Sequence, residues 1–156
     1  MSNTSRPQHE PLPNHALRKH SLKEVRLRKH ADFQQAYASA KKHQSASMSW
    51  FLAPRSAAPN EAKAARLDTP RVGLTAGKVL GKAHERNRIK RRMREALRRH
   101  VDLLPACCDL IFHPRRSVLM LDFTKLEAEV VRILVQARAE AARLKGSHAA
   151  PAPGAP

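Results

Sequence analysis

Apolar residues recur along the chain with two different periods, which predict a mixture of helices and short strands. Helical spacing marks three segments, and the alternation or short apolar runs typical of strands mark four others. The predicted helices are residues 32–42, residues 83–101 and a last helix that starts near Asp122 or Thr124. The predicted strands are residues 47–53, 71–76, 108–113 and 117–121. The order α-β-β-α-β-β-α predicts a single-domain α+β sandwich with about four strands and three helices.

Both ends of the chain and one internal stretch lack this patterning. Residues 1–24 are rich in proline, histidine and basic residues, and residues 146–156 are mostly small residues and proline. Such segments bury too little apolar surface to offset the entropy lost on ordering them. We therefore expect a disordered basic N-terminal tail, a folded domain over residues 25–145 with a flexible loop at residues 55–70, and a disordered Pro/Ala tail.

The predicted helix over residues 83–101 carries the clearest chemical signal. Nine Lys or Arg residues and only two acids lie between Lys82 and His100. Like charges one turn apart repel one another, so a helix of this composition is not explained as an ordinary solvated face. Its arginines indicate bidentate contacts to phosphate oxygens. The apolar positions form one narrow arc that would pack on a sheet: Ile89, Met93, Ala96, Leu97 and Val101.

The net charge of the whole chain also indicates a polyanionic partner. Its 156 residues include 30 Lys and Arg against 13 Asp and Glu, a formal charge of +17, and residues 1–100 hold a surplus of 16. Charge of this density repels itself unless a polyanion neutralises it, so nucleic acid is the expected partner. No apolar run approaches the roughly 18 residues of a membrane-spanning helix. The first residues lack the apolar core of a secretory signal, and we expect a cytoplasmic protein.

No pattern typical of a protein active site or a resident metal is present. The nine histidines lack ligand spacing, and no serine lies in a nucleophile motif. Asp102, Asp109 and Asp122 could form a carboxylate metal site only if the fold brought them together. The adjacent Cys107 and Cys108 could pair only with strain, so we expect them to be free, buried or half-buried thiols. We expect this chain to contribute neither catalytic nor metal-binding residues.

Two aromatic residues, Phe33 and Tyr37, lie one turn apart in the first predicted helix. Aromatics at this spacing usually belong to a core, but an exposed pair can stack on unpaired bases without reading their sequence. The residues alone leave both interpretations open. The other aromatic residues are expected in or near the core: Trp50, Phe51, Phe112 and Phe123.

Three linked motifs resemble the signature of the bacterial ribonuclease P protein subunit. They are Arg71-Val72-Gly73-Leu74-Thr75, then Gly81-Lys82-Ala83, then Arg86-Asn87-Arg88-Ile89-Lys90-Arg91. The similarity extends upstream to Asp32-Phe33-Gln34 and downstream to Asp109-Leu110-Ile111-Phe112, and it covers roughly residues 25–140.

The resemblance implies a subunit of the ribonucleoprotein that removes the 5′ leader of precursor tRNA and so generates the mature 5′ end. The catalytic RNA subunit, which holds most of the Mg²⁺, would perform the hydrolysis, and the protein would carry no catalytic groups. The implied partners are ribonuclease P RNA and precursor tRNA, with no obligate protein partner and no membrane. The implied fold is an α/β sandwich with a left-handed β-α-β crossover, an exception to the usual right-handed rule.

The resemblance also implies two sets of binding residues. A central cleft between the first helix and the sheet would hold the single-stranded leader, with Phe33 and Tyr37 as aromatic contacts and Lys78 and Arg115 as basic ones. Gly77 and Val79 replace the serine and the basic residue common in the family, so this cleft lacks one hydroxyl and one cation. The face toward the catalytic RNA would consist of Arg86, Asn87, Arg88, Lys90, Arg91 and Arg94.

Two other functions are compatible with parts of this sequence. A small ribosomal protein of similar shape would account for the charge and the basic helix, but it gives no reason for a cleft with Phe33 and Tyr37. A protein-only nuclease would cleave without an RNA partner. Co-purification with one RNA of a few hundred nucleotides, rather than with whole ribosomal subunits, would favour ribonuclease P over the ribosomal alternative.

Overall fold

One mixed sheet of four strands organises the chain. The structure is a computed structural model that describes residues 21–55 and 69–149, with the side chains of residues 145–149 excepted. Its strands are β1 (Lys41–Gln44), β2 (Met48–Pro54), β3 (Arg71–Leu74) and β4 (Cys108–Pro114). Its α-helices are α1 (Leu22–Val25), α2 (His30–Ser39), α3 (Ala83–Arg98) and α4 (Phe123–Ala149). Three short 3₁₀ helices cover Lys78–Leu80, Val101–Leu103 and Arg116–Leu119.

The strand order in the sheet is β1-β2-β4-β3. β1 pairs with β2 and β2 pairs with β4, both antiparallel, whereas β3 and β4 are parallel. Parallel neighbours need a long crossover, and α3 lies in the connection between β3 and β4. The α+β class and the number of strands are thus confirmed, and the left hand of the crossover stays a prediction.

The two faces of the sheet bury different helices because side chains alternate along each strand. One face packs against α3 and α4 and includes Trp50, Leu110 and Phe112, all buried. The opposite face packs against α2 around Ala36 and Ile111. Of the other two aromatics, Phe51 packs on the α2 side and Phe123 on the side of α3.

The apolar arc predicted for α3 is confirmed. Ile89, Met93 and Ala96 are each 0 % exposed, and Leu97 and Val101 are also buried. Burying an aliphatic side chain of this size contributes about 1.5–3 kcal/mol. This packing attaches the helix to the sheet, so that its polar circumference faces away from the core.

A buried ion pair links the two parallel strands. Arg71 and Asp109 are register partners across β3 and β4. The guanidinium donates through Nε to Oδ1 at 2.7 Å and through Nη2 to Oδ2 at 2.8 Å, and Asp109 is only 3 % exposed. The hydrogen bond to Asp109 raises the pKa of Arg71. Arg71 also lies 3.6 Å from Asp32 of α2, so the pair connects both strands to the helix that covers them.

The strand predicted at residues 117–121 is wrong. This segment forms the 3₁₀ helix Arg116–Leu119, with Val118 buried and Met120 89 % exposed. A strand that returned beside β4 would need a free edge of β4, but β2 and β3 already occupy both edges. The alternation of SVLML therefore has no sheet position to fill.

The sheet still has four strands, because β1 is a strand that the sequence pattern did not predict. Its residues KKHQ carry no apolar side chain, and Lys41 and Lys42 were assigned to the end of the preceding helix. β1 is an edge strand that pairs only with β2. The ring of His43 stacks on Trp50 with centroids 4.0 Å apart, and its Nε2 lies 2.9 Å from Glu140 of α4. Tertiary contacts, rather than a local pattern, define this strand.

The predicted tails and loop lie largely outside the described residues, which leave out 1–20, 56–68 and 150–156. Two described elements reach into the predicted tails, since α1 begins at Leu22 and α4 ends at Ala149. None of the helices in the described part of the chain is long and apolar enough to cross a membrane.

Both cysteines are free thiols, as predicted. Cys108 is buried at the start of β4, and desolvation, followed by the neighbouring Cys107, raises the pKa of its thiol to about 11. A thiol that stays protonated is a poor nucleophile and a poor metal ligand. Cys108 therefore acts as a small packing residue.

A close approach at Gly73 of β3 gives a test of how α2 is seated. A Cβ atom there would lie 2.6 Å from Cε1 of Phe33 and 3.1 Å from Cδ1 of Leu27. We expect Gly73→Ala to lower the free energy of unfolding by about 1–3 kcal/mol, because the ring must move within a packed cluster. Gly77→Ala is the matched control, since nothing lies within 4 Å of its Cβ.

Urea denaturation of the two variants measures the difference. In a Phe33→Leu background the cost of Gly73→Ala should shrink, because the smaller side chain leaves room for the methyl group. Equal stabilities of Gly73→Ala and Gly77→Ala would contradict the packing of Phe33 on β3.

Candidate nucleic-acid interface

The polar circumference of α3 contains six residues whose charges or polar groups have no partner in the described part of the chain. None forms an ion pair or a side-chain hydrogen bond with residues 21–55 or 69–149. Both acids of the helix are already paired: Glu85 lies 2.6 Å from Arg116, and Glu95 binds Arg98 and Arg99. We call these six residues the basic surface: Arg86, Asn87, Arg88, Lys90, Arg91 and Arg94. They are the same six that the family resemblance implies.

Within the basic surface the side chains differ in exposure. Asn87, Arg88 and Arg91 are exposed, whereas the other three are half-buried. The Nε atoms of Arg86 and Arg94 are buried with no hydrogen-bond partner. The Nη atoms of both residues are not among the buried atoms and have no partner in the described residues, so these outer nitrogens can contact phosphate oxygens.

The C-terminal end of α3 is electrostatically different. Hydrogen bonds from Arg98, and next from Arg99, lower the pKa of Glu95 to about 2. Arg99 also lies 3.2 Å from Glu127 of α4. These arginines are neutralised within the protein, so the uncompensated charge is concentrated over residues 86–94.

Arg92 lies in the middle of the basic segment but has a structural role. Its guanidinium donates to the carbonyl oxygens of Leu119, at 3.1 Å, and of Leu121. These contacts attach α3 to the connection between β4 and α4. Arg92 is one of the nine basic residues between Lys82 and His100, and only the structure separates it from its neighbours.

The positive surface continues onto the segment after α1. Burial, followed by the nearby charges of Arg94 and Arg28, lowers the pKa of Arg26. Arg26 and Arg94 line one groove between α1, α3 and the edge of β3. An arginine stays charged under ordinary conditions, so this groove holds like charges that an anion would neutralise. Sequence reasoning did not single out Arg26, although the charge surplus of residues 1–100 includes it.

A second candidate surface lies on the other face of the sheet, where α2 leaves part of it uncovered. Tyr37 is 36 % exposed, and its ring contacts Phe51 edge-on at 5.2 Å between centroids. Its hydroxyl lies 2.5 Å from Nε2 of His113 and 3.3 Å from Oγ1 of Thr75. Nζ of Lys42 lies 5.9 Å from the centroid of the Phe51 ring. We call Tyr37, Phe51, Thr75, His113 and Lys42 the aromatic groove.

The four residues predicted for the leader cleft are not equivalent in the structure. Phe33 and Tyr37 are neighbours, with ring centroids 6.5 Å apart. Phe33 is more enclosed than Tyr37, because it packs beside Leu27 and against Gly73. Tyr37 therefore presents the more accessible ring of the two.

Lys78 and Arg115 are both exposed, and each follows a residue of the aromatic groove along the chain. Lys78 follows Thr75 by three residues, and Arg115 follows His113 by two. Neither forms a hydrogen bond or an ion pair with Tyr37 or Phe33. Nη1 of Arg115 donates to the carbonyl oxygens of Ser45 (3.2 Å) and Ala46 (3.3 Å) in the turn between β1 and β2. Arg115 thus holds this turn as well as contributing charge.

Sequence reasoning missed four residues of the aromatic groove: Lys42, Phe51, Thr75 and His113. The sequence pattern predicts Phe51 in or near the core and Lys42 at the end of the first helix. The register of β2 and β4 places Phe51 beside Ile111 and Ser49 beside His113. The alternation of side chains along residues 108–113 could have placed His113 on the same face of the sheet as Ile111. That this is the face covered by α2 is known only from the tertiary structure.

The described residues contain no group of three or more His, Cys, Asp or Glu that could hold a metal ion. Of the three aspartates considered in the sequence, Asp109 is bound to Arg71. The donor set therefore does not fit a metal held by the described part of this protein.

An α+β fold with one uncompensated arginine surface and one exposed aromatic groove defines an RNA-binding protein. Comparisons with known proteins specify the class. A family model described as Ribonuclease P matches residues 22–138. The chain belongs to the ribonuclease P protein family. This family supplies the protein subunit of a ribonucleoprotein endoribonuclease that processes the 5′ end of tRNA, and the protein subunit is not the catalytic one.

Individual relatives agree with the family model. The chain is 35 % identical over 113 residues to the ribonuclease P protein component of Chloroflexus aggregans, covering 72 % of this chain and 76 % of the relative. It is 36 % identical over 111 residues to that of Brucella melitensis, covering 69 % and 76 %.

Solved structures show the same fold. The RNase P protein of Staphylococcus aureus aligns with a TM-score of 0.58 and 24 % identity over 73 % of this chain and 95 % of that one. The RNase P protein of Thermotoga maritima aligns with a TM-score of 0.58 and 24 % identity over 71 % and 96 %.

Arg91 and Arg92 form a matched pair that tests the division of α3. We expect Arg91→Ala to weaken RNA binding and to flatten the slope of log K against log salt by about 0.7–0.9, the contribution of one phosphate contact. Its free energy of unfolding should stay within about 0.5 kcal/mol of the parent, because Arg91 is exposed and unpaired.

Arg92→Ala should behave in the opposite way. It leaves the carbonyls of Leu119 and Leu121 without their donor, so we expect a loss of about 1–3 kcal/mol in the free energy of unfolding. Filter binding across a salt series and urea denaturation measure both quantities. An unchanged salt slope in Arg91→Ala would argue against the basic surface as the RNA contact.

Proposed function

We propose that the basic surface binds the catalytic RNA of ribonuclease P, and that the aromatic groove holds the single-stranded 5′ leader of precursor tRNA. The observation that carries the proposal is the presence of two chemically distinct surfaces on opposite faces of one sheet. α3 packs on the face that contains Phe112, and Tyr37 stands over the face that contains Ile111. One protein can therefore contact two RNA segments at once.

The basic surface suits a folded RNA. Its arginines can neutralise phosphates from adjacent strands, and the ion pairs of Glu85 and Glu95 keep both acids of the helix away from them. Release of counterions from the RNA then supplies binding free energy that depends on salt and not on sequence.

The aromatic groove suits an unpaired strand. The exposed ring of Tyr37 offers a stacking surface, and such stacking contributes about 1–3 kcal/mol per base without selecting one base. Lys42 lies beside the ring of Phe51 and supplies positive charge within the groove, and the exposed Lys78 and Arg115 would add charge for the backbone of the leader. A groove that tolerates many sequences is what a binder of many precursors requires.

The chemistry itself is assigned to the RNA. In the family the RNA is the catalytic subunit, and its phosphates would hold most of the Mg²⁺ ions that assist hydrolysis. The protein would contribute by screening the repulsion between catalytic RNA and precursor. We place this activity in the cytoplasm, where free thiols such as Cys107 and Cys108 stay reduced.

Reconstitution tests the division of labour. The full-length protein, ribonuclease P RNA and a precursor tRNA are combined at low Mg²⁺, with each component omitted in turn. We expect removal of the leader only when protein and RNA are both present. Cleavage by the protein alone would contradict the proposal.

Tyr37→Leu tests the aromatic groove. Leucine keeps an apolar side chain against Phe51 but removes the stacking surface, so affinity of the holoenzyme for precursor tRNA should fall by about tenfold. Affinity for mature tRNA, which lacks a leader, should stay the same.

Arg91→Ala is the control for this experiment, because it should weaken assembly with the RNA subunit instead of leader binding. Equal losses for precursor and mature tRNA in Tyr37→Leu would show that Tyr37 does not contact the leader.

A further inference from the structure

His113 occupies a position in the aromatic groove that the family resemblance does not assign. It lies near the end of β4 on the face covered by α2, half-buried. Its ring is 4.8 Å from Phe51 and 5.7 Å from Tyr37, between centroids. The two aromatic rings and the strand backbone fix the plane of the imidazole.

A short hydrogen-bonded chain sets which ring nitrogen carries the proton. Nε2 of His113 faces the hydroxyl of Tyr37 at 2.5 Å, and that hydroxyl also faces Oγ1 of Thr75 at 3.3 Å. A phenol is a stronger hydrogen-bond donor than a neutral imidazole N–H, and an imidazole nitrogen is the stronger acceptor. This difference favours the arrangement in which Tyr37 donates to Nε2 and accepts from Thr75. The proton of the neutral imidazole must then lie on Nδ1.

Burial, followed by the charge of Lys42, lowers the pKa of His113. The ring is accordingly neutral near pH 7, and its Nδ1–H is an uncharged donor. No residue in the described ranges accepts a hydrogen bond from Nδ1. Nδ1 has no hydrogen-bond partner in the described residues and is not buried, so it is accessible to solvent. The groove thus presents one oriented N–H donor beside its stacking surface.

We propose that His113 is a further leader-binding residue, whose Nδ1–H donates a hydrogen bond to an oxygen atom of the nucleotide next to Tyr37. This inference rests on the proposed function of the groove. An RNA strand offers oxygen acceptors on its phosphates and on its base edges. A donor fixed beside a stacked base adds a contact that stacking alone does not give.

The tautomer is measured directly by nitrogen-15 NMR of the full chain. We expect the His113 ring to be protonated on Nδ1 at pH 7.5, the less common form of a free imidazole. Tyr37→Phe removes the donating hydroxyl and should shift the proton to Nε2. A ring protonated on Nε2 in the parent protein would overturn the proposal.

Addition of a short single-stranded RNA should change the Nδ1 signal of His113 and leave that of His30 unchanged. His30 is exposed at the start of α2, two turns from Tyr37. An Nδ1 signal that does not respond to saturating RNA would also overturn the proposal.

Two variants with different polar positions test the contact in the holoenzyme. Asparagine places its amide near the position of Nδ1, whereas glutamine reaches the position of Nε2. We expect His113→Gln to weaken binding of precursor tRNA by about 3–10-fold, the range of one hydrogen bond. His113→Asn should retain more of that affinity, and mature tRNA should bind both equally well.

Modified leaders distinguish the source of the acceptor. A methylphosphonate at one position removes a phosphate charge, and an abasic nucleotide removes a base. The substitution that weakens the parent holoenzyme but not His113→Gln identifies the group that His113 contacts.

The outcomes separate this proposal from the one on which it rests. If the parent holoenzyme does not prefer precursor over mature tRNA, the leader groove itself is wrong. If the parent shows that preference and both His113 variants keep it in full, His113 is only a packing residue. If both variants lose it equally while Tyr37→Phe does not, the position of the donor does not matter and the proposal fails.

Discussion

The ion pair between Arg71 and Asp109 is the constraint on which the arrangement of the sheet depends. It lies across the parallel pair of β3 and β4, and it reaches α2 through Asp32. Asp109 also lies 3.6 Å from Arg55, so the pair is the centre of a small network of opposite charges. The network joins β3, β4 and α2 at one place in the fold. Gly73 follows Arg71 by two residues and lets Phe33 approach the strand. The position of α2 on the sheet, and therefore the position of the aromatic groove, depends on the short segment from Arg71 to Gly73.

The unpaired basic residues of α3 lower the stability of the free protein and favour binding of a polyanion. Glu85 and Glu95 are each engaged with arginines outside the basic surface, so the charges over residues 86–94 repel one another in the absence of RNA. A polyanion that neutralises them stabilises the folded protein by mass action. Arg92 shows that the same residue type serves the fold when backbone carbonyls are within reach. Arginines of the same helix therefore differ in role. Arg92 binds backbone carbonyls of the protein itself, whereas the arginines of the basic surface stay available for a ligand.

The aromatic groove combines a tolerant and a directional element. Stacking on Tyr37 accepts any base, whereas the chain from Thr75 through Tyr37 to His113 orients a single N–H donor. The hydroxyl of Tyr37 serves both, since it holds the ring in place and fixes the imidazole tautomer. As the proposed leader site, such an arrangement would bind an unpaired strand without demanding its sequence, while still setting its position along the groove.

The class of fold, the packing arc of α3 and the concentration of basic residues along that helix could be predicted from the sequence, because helical periodicity and local charge are properties of neighbouring residues. The six residues of the basic surface were implied by the family resemblance, since charge alone did not separate them from Arg92, Arg98 and Arg99. The sequence also placed Phe33 and Tyr37 on one helix. Only the tertiary structure decided that residues 117–121 are not a strand, because both edges of β4 are occupied. It alone revealed β1, whose polar side chains are defined by contacts with Trp50 and α4. His113 is part of the groove for the same reason. It lies 76 residues from Tyr37 along the chain, and Tyr37 lies 38 residues from Thr75. No local sequence pattern predicts contacts between residues so far apart.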